Sequence, residues 1–350
     1  MTKEKTRHSR RRFLANGGTA LGLALAAPTV LRAQTLTLKL STWLPTSGLV
    51  IPNSLVPWAE QINQMTEGRV AIELIFPPMG PPPAHLDLLL EGKTDITFSI
   101  HGYSGPDAFS RAKIGQFSFL GDAYSASNAF SRVYGELLNA EEEHEAMGIK
   151  MLGLFQHGPG MMMLRNKEMR TVDDLRGLKI RNPGGYVSGL MEELGIENVN
   201  LPPTAAREQL EAGTIDGVMF PYEGADVFNI MDLVTQIIHA PGGFYNSSFF
   251  LGMNAETAGR LSEEDFNTIR DFSRQTIHEY FAKAMDYADY VAIEKFKALN
   301  TPVLPLEGEN LEILKQKASA YEDVWADQVA QQGYDGRKAL AYTRRITGQN

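Results

Sequence analysis

The chain of 350 residues contains no cysteine. Disulfides, thiol catalysis and a lipid-modified cysteine behind a leader are thereby excluded. Long apolar runs are missing too: beyond residue 33 no window reaches the roughly eighteen apolar residues that a membrane helix needs. Positive charge is scarce, with 33 Lys and Arg facing 42 Asp and Glu for a net charge of −9. Residues 1–33 hold seven of those basic groups and one acidic group, which leaves 26 against 41 and a net charge of −15. Such a balance argues against nucleic acid or an anionic membrane surface as partner. Several catalytic signatures are also lacking. No G-x-G-x-x-G follows a strand, and neither a P-loop G-K-[ST] nor a G-x-S-x-G elbow occurs. His85, His101, His144, His157, His239 and His278 never fall in a metal-ligand spacing.

What is present begins with a leader pattern. Ser9 to Leu14 reads SRRRFL, and a modest apolar stretch rich in Ala and Gly continues to Ala33. A basic segment, a short apolar segment and a small-residue exit describe a cleaved export signal, too short to span a bilayer stably. The twin arginine marks a Tat-type address, read by an export machinery that carries folded proteins. A Sec signal with one extra arginine fits the segment less well. Cleavage is expected between about residue 26 and residue 33, after Ala33 or near Ala24-Leu25-Ala26. The remaining chain, with no lipid anchor and no later span, is expected free in the periplasm.

At 43% hydrophobic and 21% charged residues, the chain can fill two ordinary domains. Its pattern alternates strands and helices. LTLKLST (36–42), RVAIELIF (69–76) and TDITFSI (94–100) read as strands, separated by helices over 53–65 and 84–92. That order predicts a largely parallel sheet covered on both faces. A second half begins near 150–158 and repeats the theme, with strands at LKIR, ENVNL, IDGVMF (215–220) and SSFFLGMNA (247–255). Residues 262–299 form one uninterrupted helical pattern, opened by Ser262 with Glu263, Glu264 and Asp265 as cap and first turn. At 1.5 Å per residue such a helix is long enough to run across two lobes. Two further polar-faced helices follow Leu311.

Chemistry concentrates at LKIRNPGG (178–185). Alternation places Arg181 at the carboxyl end of a short strand that Pro183, Gly184 and Gly185 terminate, and open α/β sheets bind ligands at such ends. A guanidinium offers a planar fork of donors matched to a carboxylate. Trp43, Tyr103, Phe155, Phe220, Tyr222, Phe244 and Tyr245 stand at other strand ends or in the loops after them. An aromatic cleft with a few convergent polar groups is the usual form of a small-molecule site. Phe155 is expected in the core. The bland alternative for Arg181 is a surface ion pair with Asp173 or Asp174, and on the residues alone the two readings stand level. HGYSG (101–105) reads as turn chemistry, and EEEHE (141–145) as the solvated acidic face of a helix. The three methionines 161–163 read as core or pocket packing.

TVDDLRGLKIRNP (171–183) and LGIENVNLPPTAAREQLEAGTIDG (194–217) resemble the signature region of the DctP-type substrate-binding proteins of tripartite ATP-independent periplasmic (TRAP) transporters. Thr171, Asp174 to Arg181, Leu210, Gly213, Asp216 and Gly217 carry that likeness. STWLP, WAEQINQMTEGRVAIEL (58–74) and GMNAETAGRLSEEDFNTI (252–269) extend it along most of the chain. The resemblance implies an α/β, two-lobed periplasmic binding protein fold, with a long helix spanning both lobes and closure over a ligand. The expected division is 34–157 with 247–306 as lobe I, 158–246 as lobe II, and 307–350 as C-terminal helices packing on the lobes. Arg181 matches the family arginine that holds the ligand's carboxylate.

Two departures bear on the ligand. Many members carry a second basic residue where this chain has Met161, and members that bind polar acids often have Asn where Phe220 stands here. The resemblance therefore implies capture of an aromatic or otherwise apolar monocarboxylate, with Arg181, Trp43, Tyr103, Met161, Phe220, Tyr222, Phe244 and Tyr245 as candidate contacts. It implies delivery to small and large TRAP membrane subunits, with no cofactor and no catalysis. A Tat-exported enzyme acting on a carboxylate remains an alternative, as does the binding protein of another importer or a sensor.

Overall fold

The computed structural model describes residues 35–46, 48–105 and 108–348, so the leader read over residues 1–33 lies outside the described residues. Strand β1 (Leu36–Ser41) shows why the amino-terminal segment folds as it does: Leu38 and Leu40 are buried while Thr37 and Lys39 are exposed. It pairs in parallel with β2 (Val70–Ile75) and β3 (Ile96–Ile100), the helix Leu55–Met65 lying between the first two in sequence. β4 (Ile149–Gln156) completes the sheet through β10 (Ser248–Asn254), which runs antiparallel to both β3 and β4 in the order β2-β1-β3-β10-β4. β3 and β10 are buried along their whole length, as central strands covered on two faces should be.

The second sheet collects β5 (Met161–Leu164), β6 (Lys179–Asn182), β7 (Glu197–Asn200), β8 (Gly217–Phe220), β9 (Gln236–His239) and β11 (Val303–Pro305), in the order β11-β9-β5-β8-β6-β7. Here β6 is parallel to β7 and β8, whereas β5 is antiparallel to β8 and β9. Both sheets are thus mixed rather than largely parallel, because β10 and β5 each enter between strands of the opposite direction. β4 closes the first sheet. β11 departs from the expected boundary at residue 306: its backbone pairs with β9, so 303–305 belong with the second sheet.

The long helix runs from Glu263 to Ala298, with the Ser262 hydroxyl accepting the Asp265 N–H at 3.0 Å. Its 36 residues extend roughly 54 Å. Near its start Ile269, Ile277 and Phe281 pack with Phe98, Phe155 and Phe249 of the first sheet. Its far end puts Ala292 and Phe296 among Met161, Val218 and Ile237 of the second. Another cluster joins Leu154 and Phe250 to Met162, Ile180 and Met219, and takes in Leu314, Trp325 and Ala339 from the helices Gly308–Gln331 and Gly336–Thr347. Burying those apolar faces stabilises by about 25 cal/mol for each Å² removed from water.

The acidic run at 141–145 is only partly a solvated face. It forms the helix Ala140–Ala146, but His144 is fully buried, its Nε2 3.3 Å from that of His101. Burial pulls the His144 imidazole down to about 4, which keeps it neutral.

Candidate functional site

In β6 Lys179 is exposed at the start of the strand and Arg181 buried toward its end, and the chain leaves it at Pro183 through Gly184 and Gly185, whose φ values of 86° and 63° suit glycine. Register fixes what Arg181 meets. It pairs with Val218, so its side chain reaches forward along β8 and its Cζ lies 4.7 Å from the centroid of the Phe220 ring. Nε donates to the Leu201 carbonyl at 3.0 Å and Nη1 to the Met219 carbonyl at 3.3 Å. The residue is 2% exposed, and among the described residues no carboxylate lies within salt-bridge distance of it. Asp173 pairs with Arg176, and Asp174 caps Thr171, so the surface ion-pair reading of Arg181 falls. Burial pulls the guanidinium below its usual range, and the nearby Tyr103 and Tyr245 phenols oppose that shift. Five N–H groups on a buried cation, with two held by carbonyls, leave donors for an anion.

The pocket beside Arg181 is small, about 60 Å³, and mainly apolar, with several aromatic rings in its walls. Trp43 and Tyr103 come from the ends of β1 and β3 in the first sheet, Phe220 from the end of β8, Phe249 from β10 and Tyr245 from the segment before it. Tyr245 packs closely against the chain at Gly160, where a Cβ would stand 2.0 Å from the ring, and its hydroxyl donates to the Met219 carbonyl at 3.1 Å. Tyr103, Arg181 and Pro183 also line a larger outer cleft of about 470 Å³, walled by polar side chains that include Lys113, Gln116, Asn182 and Ser188. The guanidinium therefore stands where an aromatic pocket meets a polar cleft.

Not every candidate residue gathers here. Arg181, Trp43, Tyr103, Phe220 and Tyr245 line the inner pocket; Met161, Tyr222 and Phe244 do not. Neighbours along an extended chain point to opposite sides, so Phe244 enters the core while Tyr245 faces the pocket. The backbone turns at Pro221 into the helix Tyr222–Val227, and the Tyr222 hydroxyl reaches 3.1 Å to His239 Nδ1. Burial pushes that phenol up to about 12. Met161 sits directly across from Phe220 in the β5–β8 pair and packs with Met163 and Val218. The two family departures are thus cross-strand neighbours. Phe155 is core, stacked on Phe281 at 3.8 Å.

Sequence reasoning missed His157, Glu223, Phe249 and Met285, which line the same pocket. His157 and Glu223 just follow β4 and β8, so the strand-end rule that selected Arg181 applies to them equally. Met285, contributed by the long helix, left no comparable signal. Both ring nitrogens of His157 are engaged: Nε2 accepts the Ser247 N–H at 2.9 Å and Nδ1 donates to the Gly158 carbonyl. Burial holds this imidazole down at about 4, neutral at ordinary pH and unfit to take a proton. Among the described residues no group of three or more His, Asp or Glu side chains could hold a metal ion. The arrangement is suited to gripping an anion and packing a ring.

The model of a bacterial extracellular solute-binding protein family, family 7 (DctP), matches residues 45–331. A TRAP periplasmic solute-binding protein from Bordetella bronchiseptica, solved with (R)- and (S)-mandelate, superposes with a TM-score of 0.84 at 31% identity, over 90% of this chain and 99% of that one. One from Rhodoferax ferrireducens, in complex with copurified benzoate, gives a TM-score of 0.78 at 25% identity, covering 90% and 98%. A curated relative from Comamonas testosteroni, the outer membrane transporter protein TsaT, is 26% identical over 333 residues, 94% of this chain and 96% of its own. The family and these solved neighbours are solute-binding proteins, not enzymes, and TRAP solute-binding proteins work with membrane subunits. No helix among the described residues is long and apolar enough to cross a membrane. Matched along most of its length by the family model and by a 31% identical TRAP protein, this chain belongs to the DctP family of bacterial extracellular solute-binding proteins.

Proposed function

We propose that this protein captures a small aromatic or otherwise apolar monocarboxylate in the periplasm and hands it to the two TRAP membrane subunits for ion-gradient-driven uptake. One observation carries the reading. Arg181 is a buried cation with no carboxylate partner among the described residues, set at the mouth of an aromatic pocket. A buried charge is costly unless paired, so a carboxylate that arrives with its own apolar ring relieves that cost and fills the pocket at once. Hydrogen bonds to charged groups contribute about 1.5–3 kcal/mol each, and aromatic contact adds to them. Micromolar capture needs about 8 kcal/mol, within reach of one bidentate clamp and one buried ring. Mandelate and benzoate in the two solved relatives support this ligand class. Met161, outside the pocket, gives the pocket-lining Phe220 an apolar cross-strand neighbour.

Loading requires movement. An inner volume of about 60 Å³ is less than the roughly 150 Å³ that accommodates benzene, so the walls part to admit a ring and close over it. The moving bodies in this reading are lobe I, built on the first sheet from residues 34–157 and most of 247–306, and lobe II, built on 158–246 with β11. Closure then marks the loaded form for the membrane subunits. Tat export directed by residues 1–33, and release of the cleaved chain into the periplasm, complete the proposal, and the ligand leaves chemically unchanged.

The test is a thermal-shift and calorimetric screen of the protein lacking residues 1–33, with benzoate and mandelate against benzamide, benzyl alcohol and succinate. At a hundred times the dissociation constant a ligand stabilises by about 2.7 kcal/mol. The aromatic acids should raise the melting temperature and be recovered unaltered. Equal stabilisation by benzamide would sink the carboxylate reading, and turnover of a bound acid would sink the transport reading.

A further inference from the structure

The inner pocket holds a second buried ionisable group that the capture of a carboxylate leaves unexplained. Glu223 is 8% exposed and lines the pocket next to Phe220, Pro221 and Gly224. Its backbone N–H donates to Asp289 Oδ1 at 2.6 Å, but among the described residues no donor reaches its carboxyl oxygens and no cation pairs with them. Buried carboxylates are ordinarily hydrogen-bonded or paired. This one borders open space instead, lining both the inner pocket and a second cleft of about 380 Å³ that Asp226 and Lys295 share.

We infer that Glu223 reads the end of the ligand away from the Arg181-bound carboxylate, selecting an aromatic acid with a hydroxyl or amino donor on its ring and rejecting one with a second carboxylate. The inference rests on the proposed capture by Arg181 and deepens it. Phe220 stands beside both groups: the Arg181 guanidinium lies over its ring, and Glu223 follows it by three residues. Trp43, Phe249 and Tyr245 form the remaining apolar walls. The lining of that pocket combines a cation, aromatic walls and an acceptor. A ligand complementary to it has a carboxylate, a flat apolar body and a hydrogen-bond donor.

The groups around Glu223 keep it an acceptor and repel further anions. Asp289 of the long helix faces it, Asp226 lies one turn on in its own helix and is held by Lys295 at 2.6 Å, and His157 is neutral with both ring nitrogens engaged. Tyr245 donates its hydroxyl to the Met219 carbonyl and so does not satisfy Glu223. Burial, followed by the charge of Asp226, pushes the Glu223 carboxyl up to about 7, so it is mostly ionised at pH 8. A second ligand carboxylate there would meet like charge, and the nearby Lys295 is already paired with Asp226. A site built around an unpaired polar group discriminates strongly against an analogue that cannot satisfy it.

The experiment is calorimetry at pH 8 on the wild type, Glu223→Gln, Glu223→Leu and Arg181→Met. The probes are benzoate, the three hydroxybenzoates, 3-aminobenzoate, isophthalate and terephthalate. The wild type should bind at least one hydroxy- or amino-substituted acid about tenfold or more tighter than benzoate, and both dicarboxylates more weakly than benzoate. Glu223→Leu should level the hydroxyl preference while still binding benzoate. Glu223→Gln, which keeps the shape and an acceptor oxygen, should retain part of it and admit the dicarboxylates better. Ratios unchanged in Glu223→Leu, or no donor preference in the wild type, would overturn the inference while leaving capture intact. Acids that bind equally well to Arg181→Met would overturn capture itself and Glu223's role with it.

Discussion

Replacing Arg181 by methionine should separate two quantities that usually fall together, ligand affinity and the stability of the empty protein. The substitution removes a buried, carboxylate-free cation and leaves an unbranched apolar chain of similar length. On the debit side are the bonds from Nε to the Leu201 carbonyl at 3.0 Å and from Nη1 to the Met219 carbonyl at 3.3 Å. With a charged donor, at about 1.5–3 kcal/mol each, these total about 3–6 kcal/mol. The Met219 carbonyl still accepts the Tyr245 hydroxyl, so only Leu201 loses a partner outright. The cation contact with Phe220 adds about 0.5–2 kcal/mol to the loss. Against it stands the desolvation of a 2%-exposed guanidinium, several kcal/mol for a buried ion. The terms nearly cancel, so the unliganded variant should melt within a few degrees of the wild type. Binding has no such offset. Two charge-assisted hydrogen bonds of about 1.5–3 kcal/mol each should vanish, raising the dissociation constant for an aromatic acid by at least about a hundredfold. Differential scanning calorimetry of the empty proteins and titration calorimetry with benzoate measure the two halves. A variant that melts far below the wild type yet binds benzoate unchanged would show Arg181 to be a structural residue and refute the reasoning.

Three further outcomes follow from the same geometry. Burial first, with nearby acids second, raises Glu223 from 4.5 to about 7 and lifts Asp289 well above its ordinary range. Folding therefore favours their protonated forms, and the empty protein should lose stability as pH climbs from about 4.5 through 7. The Glu223 part is on the order of 3 kcal/mol, and Glu223→Gln should flatten the melting profile between about pH 4.5 and 7. Gly160→Ala would place a methyl 2.0 Å from the Tyr245 ring, so the ring must shift, costing about 1–3 kcal/mol in melting experiments and weakening aromatic acids. Phe220→Asn removes the ring over which the guanidinium lies, and titration should show benzoate weakened by about tenfold.

The residues that were readable from sequence are those whose neighbours restrict them locally. Arg181 stood out because alternation sets its face and Pro183-Gly184-Gly185 ends its strand, and the helix Glu263–Ala298 because cap, first turn and periodicity agree over 36 residues. The strand MMML at Met161–Leu164 was read only as packing, since methionine gives no strand signal and its place is fixed by pairing with β8 and β9. The direction of β10 and the sheet that takes β11 depend on contacts between residues far apart in the chain. His144 looked exposed among four glutamates because its partner, His101, is 43 residues away. Aromatic residues at strand ends identified Trp43, Tyr103, Phe220 and Tyr245 but overreached at Tyr222 and Phe244, where a proline turn and a residue's parity along the chain decide which way the ring points. Met285 enters the pocket from the long helix, and only the packing of that helix across both sheets brings it there.

The most direct measurement is a crystal structure of the protein lacking residues 1–33, grown with benzoate and compared with crystals grown without it. The account predicts both carboxylate oxygens within about 3 Å of the Arg181 guanidinium, the ring between Phe220 and the Trp43–Tyr245 side of the pocket, and Glu223 beyond the ring's far edge. A carboxylate bound instead at Lys113 in the outer cleft, with the Arg181 guanidinium held only by the Leu201 and Met219 carbonyls, would contradict it.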